Sequence, residues 1–133
     1  MGLSEEEKKS LVVYRLKKGK ETLAELPILI ENYLWRNAAN RLYYACFYAA
    51  SALLIRDGYQ AHSHNGVRSV LSARYENKID KCLIKTYGIL FNIRQRGDYE
   101  DWAILEENDI IPLIEPANRF ITEIERLISK TVT

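Results

Sequence analysis

Asn37, Arg41, Tyr44, Tyr48 and Ser51 follow one another at spacings of four, three, four and three. On a helix that spacing aligns them as one narrow polar and aromatic stripe. Such a row can offer amide, guanidinium and phenol donors to an anion, or the tyrosines can simply satisfy their hydroxyls inside a core. A second stripe, Leu83, Tyr87 and Leu90, is apolar except for its next member, Arg94. An arginine closing an apolar stripe either snorkels outward or ends in a polar cleft. Arg94 has two candidate partners: Asp98, one turn on, or a phosphate held bidentately. Spacing alone favours the ion pair.

His62 and His64 stand two apart, followed by Arg68 and Arg74. Without a cysteine or carboxylate at ligand spacing they are a weak metal pattern, and neither a metal nor another cofactor is expected. His64-Asn65-Gly66 precedes a helix start, a place that favours anions, although a solvated loop histidine is the commoner outcome. No Rossmann glycine pattern, P-loop, HExxH or GxSxG motif occurs.

The elements that must position these residues are helices. Apolar residues recur at helical spacing nearly throughout, with three prolines and six glycines in 133 residues. Ser4-Glu5-Glu6-Glu7 reads as a capping box opening a first helix, with Leu16, Leu23, Leu26 and Ile30 inward and a kink expected at Pro27. A second helix is expected from about Trp35 to Asp57, ended by Gly58. Its other faces are small or apolar (Ala38, Leu42, Ala45, Ala49, Ala52; Ala39, Tyr43, Cys46, Ala50, Leu53), so it should be central. Tyr59 to Asn65 reads as a loop and Gly66 to Tyr75 as a short helix. Asp80 should cap a fourth helix reaching about Arg96 and stopped by Gly97. Asp98 to Asp109 holds six acids and no base, which marks a solvated connection. A last helix is expected over roughly Ile110 to Ser129. The expected fold is all-α: one domain over 1–133, an up-and-down four-helix bundle with an additional short helix.

Composition bounds the class. A hydrophobic fraction of 47% and a charged fraction of 28% suit a soluble globular domain. With 19 Lys+Arg against 18 Asp+Glu, bulk attraction to nucleic acid is excluded, so any anion site must be a local cluster. Cys46 and Cys82 form no CxxC pair and lie in apolar surroundings, which reads as packed, reduced thiols. The charged opening residues carry no apolar signal core. The longest uncharged run, Leu42 to Ile55, is fourteen residues, short of the ~20 that span a bilayer. A cytoplasmic protein without a membrane partner is expected.

The run Trp35-Arg36-Asn37-Ala38-Ala39-Asn40-Arg41-Leu42-Tyr43-Tyr44-Ala45-Cys46-Phe47-Tyr48-Ala49-Ala50 resembles the signature helix of the HEPN domain family. The resemblance extends to Ser63-His64-Asn65-Gly66-Val67-Arg68 and to Leu90-Phe91-Asn92-Ile93-Arg94-Gln95-Arg96-Gly97-Asp98-Tyr99, in the family's order and over nearly the whole chain. It is nearest to the small single-domain prokaryotic members. It implies a four-helix bundle with an extra short helix and, usually, a homodimer. Many such members act with a minimal nucleotidyltransferase in toxin–antitoxin pairs. Active members are metal-independent ribonucleases whose motif is an arginine followed four to six residues later by a histidine.

The resemblance puts Arg94 at the arginine's place, but no histidine follows it anywhere. Tyr99 stands where the histidine is expected, and a phenol with a pKa of ~10 is a poor general base at neutral pH. The candidate catalytic set is therefore Arg94, Asp98, Tyr99 and His64, with Asp98 or His64 able to substitute only if folded close. The candidate phosphate ligands are Arg41, Asn37, Tyr44 and Arg68. Three functions follow: a dimeric module binding nucleotide or RNA phosphate alongside a nucleotidyltransferase, a ribonuclease toxin with a non-standard acid/base group, or a helical dimerisation protein without ligand.

Overall fold

The computed structural model describes residues 2–61, 63–100 and 104–130. The described residues form six helices and no strand: α1 (Glu5–Leu23), α2 (Leu26–Glu31), α3 (Trp35–Asp57), α4 (His64–Arg74), α5 (Lys81–Tyr99) and α6 (Glu107–Ser129). The four long ones make an up-and-down bundle, and none of the six is long and apolar enough to cross a membrane.

Helix α1 opens with the expected capping box. The Glu7 amide donates to Ser4 Oγ at 3.1 Å, and the Ser4 amide donates to the Glu7 carboxylate at 2.9 Å. These bonds hold the Glu7 carboxyl below its ordinary value. Pro27 does not kink this helix. The chain breaks after Leu23, and Pro27 falls in the first turn of α2, where its missing N–H would have had no intrahelical partner anyway. Tyr33, at φ 57°, then turns the chain into α3.

Helix α3 is the centre of the bundle, packing on all five other helices. Ala38, Leu42, Ala45, Ala49, Ala52 and Leu53 are fully buried along it. Small residues are needed there because α1 comes very close: a Cβ at Gly19 would meet the Ala45 carbonyl oxygen at 2.8 Å. Gly58, at φ 83°, closes α3 in the left-handed conformation that favours glycine.

Three further boundaries differ from those expected from sequence. Helix α4 starts at His64, two residues before Gly66, because Ser63 takes the capping role and its Oγ accepts from the Gly66 amide at 2.9 Å. Helix α5 is capped by Asp80, whose side chain accepts from the Cys82 amide at 2.8 Å. It runs through Gly97 to Tyr99. Gly97 is buried and serves close packing, with Leu105 and Arg36 side chains 3.2 and 3.4 Å from where its Cβ would lie. Helix α6 starts at Glu107 on a Glu106–Asp109 capping box, so part of the acidic connection is its first turn. The cysteines also divide. Cys46 is buried, and burial pushes its thiol well above the ordinary value, whereas Cys82 in the first turn of α5 is exposed.

Candidate functional site

Extending α5 past Gly97 keeps Arg94 and Asp98 on one helical face, a single turn apart. Leu83, Tyr87 and Leu90 are buried along that face, and Arg94, only 5% exposed, continues it. Its guanidinium carbon lies 4.7 Å from the Tyr43 ring centroid, 5.7 Å from Tyr44 and 5.9 Å from Phe91, an aromatic seat for a cation. Arg94 Nη1 reaches Asp98 Oδ2 at 3.5 Å, a long contact, and Arg94 Nε is buried without a hydrogen-bond partner among the described residues. An arginine cannot shed its charge, so the fold holds a buried cation whose donors are incompletely used.

Tyr43 is the group that sequence reasoning missed. Helical spacing groups it with Ala39, Cys46 and Ala50, yet its hydroxyl is the junction of the site. It shares a 2.8 Å hydrogen bond with His64 Nδ1, and the Tyr87 hydroxyl donates to it at 3.4 Å. Burial raises the Tyr43 hydroxyl above the ordinary phenol value, and burial and Tyr43 together raise Tyr87 further. The available signal was the tandem Tyr43-Tyr44 on a helix central enough to bury both faces.

His64 does fold close. Half-buried at the start of α4, its ring packs on Phe47 at 4.5 Å and on Tyr43 and Tyr44 at 5.6 Å. Partial burial, and then the Arg94 charge, hold its imidazole below the ordinary value. His62 lies outside the described residues. Tyr99 points away: five residues beyond Arg94 it has rotated off the face, and it is 73% exposed.

The α3 stripe splits along its length. Tyr44 lies between the Arg94 and Arg41 guanidiniums, the latter 5.6 Å from its ring centroid. Asn37 and Arg41 line a cleft of about 340 Å³ with Asn40, Asp98 and Glu25. Arg41 is already engaged there, donating from Nη2 and Nε to Asn40 Oδ1 at 2.8 and 3.1 Å, with Glu25 3.9 Å away. Tyr48 does not join Arg94. It turns toward α1, where Lys18 Nζ lies 4.9 Å from its ring centroid. Arg68 lies against α5, 4.8 Å from the Phe91 centroid and bonded to Asn92 Oδ1 at 3.2 Å. Gly88 leaves it room, since a Cβ there would meet Arg68 Nη2 at 3.0 Å.

The model of the HEPN domain matches residues 12–127. The chain belongs to the HEPN domain family. A UPF0332 protein of Thermotoga maritima is 34% identical to it over 124 residues, covering 92% of this chain and 94% of that one. The Methanocaldococcus jannaschii protein named "Putative toxin MJ0605" is 30% identical, covering 83% of each chain. Among solved structures, TT1696 from Thermus thermophilus superposes with a TM-score of 0.73 at 14% identity, over 86% of this HEPN chain and 96% of that one. That likeness concerns the fold. Among the described residues, the imidazole that stands beside Arg94 is His64, carried by α4.

Proposed function

We propose that this HEPN chain is a dimeric phosphate-recognition module that binds a nucleotide or RNA at Arg94 and acts with a minimal nucleotidyltransferase in a toxin–antitoxin pair. The observation that carries the reading is the state of Arg94: a buried cation seated on Tyr43 and Tyr44, with an unpartnered Nε and one long contact to Asp98. A phosphate oxygen supplies what that guanidinium lacks, a charged acceptor in a bidentate geometry. Asn37 and Arg41 in the adjoining cleft add an amide and a second cation, and relatives named as toxins support the pairing.

Calorimetric titration with ATP and with a short single-stranded RNA tests the site. Wild type should bind with a salt-dependent affinity that Arg94→Gln abolishes. Equal binding by the two would refute it. Light scattering tests the dimer, and a mass near 15.5 kDa at micromolar concentration would count against it.

A second reading, a metal-independent ribonuclease, is favoured by an imidazole, His64, standing on the same Tyr43 ring platform as Arg94. It would use Arg94 to stabilise charge on the phosphate and His64 to handle the 2′-hydroxyl proton. RNA cleavage in the presence of a chelator, lost in both Arg94→Ala and His64→Ala, would establish it.

A further inference from the structure

The protons around Tyr43 can be assigned one by one. Tyr87 is buried, and among the described residues its hydroxyl has a single hydrogen-bond partner, the Tyr43 oxygen. A buried hydroxyl must place its proton on an acceptor, so Tyr87 donates to Tyr43. Arg94 also faces the Tyr43 hydroxyl but can only donate, so the Tyr43 proton goes to the acceptor beside it, His64 Nδ1, 2.8 Å away. Nδ1 accepts, carries no proton, and leaves the single proton of a neutral imidazole on Nε2. The reverse direction, from Nδ1–H through Tyr43 to Tyr87, would strand the Tyr87 proton in the core. Arg94, 4.7 Å from the Tyr43 ring centroid, opposes a second proton on the imidazole.

We propose that Tyr43 is a positioning residue that locks neutral His64 in the Nε2–H tautomer, so that the imidazole offers a hydrogen-bond donor to a phosphate-bearing ligand at the Arg94 site. The proposal rests on the reading of Arg94 as an anion site and deepens it. Arg94 and His64 become two donors that share one aromatic platform, Tyr43 and Tyr44. Nε2 of the neutral ring, already protonated, cannot take a 2′-hydroxyl proton, and Nδ1 is occupied by Tyr43. The lock therefore favours binding over cleavage.

Nitrogen-detected NMR of the imidazoles tests the lock on the ligand-free protein, above the imidazole titration range, with His62→Gln used to assign His64. Wild type should show a proton on Nε2 and a bare, hydrogen-bonded Nδ1. Tyr43→Phe should give a mixture of tautomers. A proton on Nδ1 in wild type, or an undiminished Nε2–H population in Tyr43→Phe, would overturn the proposal. Should Tyr43→Phe fail to fold, a scalar coupling between the Tyr43 hydroxyl proton and Nδ1 in the native protein supports the lock, and a directly bonded Nδ1 proton sinks it. Inorganic phosphate is then added. Movement of the Nε2–H resonance, absent in Arg94→Gln, supports the shared donor site. A locked tautomer with no response to phosphate would refute the anion reading while leaving the tautomer assignment intact.

Discussion

Arg94 and Asp98 stand one turn apart on α5, yet they live in different solvents: Arg94 is 5% exposed, while the Asp98 carboxylate, 3.5 Å from Nη1, is 30% exposed. The pair is long and loosely made, and Asp98 also lines the cleft that adjoins the Arg94 site. Asp98 is thus a competitor for the guanidinium, and removing its charge should help an anion. Asp98→Asn is expected to tighten nucleotide binding about fivefold, corresponding to the ~1 kcal/mol of a partly exposed ion pair. Calorimetric titration measures it. Weaker binding by Asp98→Asn would show that the carboxylate orients Arg94 for the ligand instead of competing with it.

The close approach of α1 to α3 gives a second prediction, on stability. A methyl group at Gly19 would meet backbone, the Ala45 carbonyl oxygen at 2.8 Å, which cannot turn aside. Gly19→Ala should destabilise the protein by ~1–3 kcal/mol through overpacking, despite the better helix propensity of alanine. At Gly97 the nearest atoms are side-chain carbons at 3.2 and 3.4 Å, which can move. Gly97→Ala should therefore cost less. Urea melts of the two variants measure the order.

Much of this architecture was legible from sequence because it is local. The Ser4–Glu7 box, the Asp80 cap and the Gly58 stop each depend on residues within one turn, and each forms as expected. Pro27 and Gly97 mislead because the same residue types serve two purposes. Proline both breaks a helix and begins one, and glycine both ends a helix and lets a neighbour approach. The direction of Tyr48, and the meeting of Tyr43 with His64, depend on which helix lies against which face of α3. Helical spacing defines those faces and is silent on their neighbours, so Arg94 could be singled out from its stripe while its aromatic seat could not.

A third prediction concerns the far end of α3. The Tyr75 hydroxyl donates to Asp57 Oδ2 at 2.6 Å, and burial together with Asp57 raises it above the ordinary phenol value. Asp57 also accepts from Arg56 Nε at 2.8 Å, so Tyr75→Phe would leave the carboxylate one strong donor short. The expected loss is ~1–3 kcal/mol, as for hydrogen bonds to charged groups. Chemical denaturation should show it with no change in nucleotide affinity, because the bond closes the end of α3 opposite the Tyr43 and Tyr44 seat of Arg94. A variant as stable as wild type would mean that water replaces the phenol there at no cost.

The last prediction is the pH dependence that His64 imposes. Its folded-state pKa lies below the ordinary imidazole value of about 6.5, lowered first by burial and then by the charge of Arg94. Between the lowered value and 6.5 the unfolded chain binds a proton that the folded chain refuses, so stability rises with pH across that interval. The contribution is fully present above about 6.5 and is lost as pH falls toward the folded value, where the imidazole must charge beside a guanidinium and give up its bond from Tyr43. Glu7 and Glu123, both held below 4.5, titrate under this window and do not contribute to it. Urea melts at neutral pH and about one unit below the ordinary histidine value should show wild type losing stability. His64→Gln should lose less, because it carries no proton to gain. Arg94→Gln should also flatten the dependence, by removing the second cause of the shift. Identical slopes in wild type and His64→Gln would mean that His64 titrates at its unfolded value, and that neither burial nor Arg94 controls its proton.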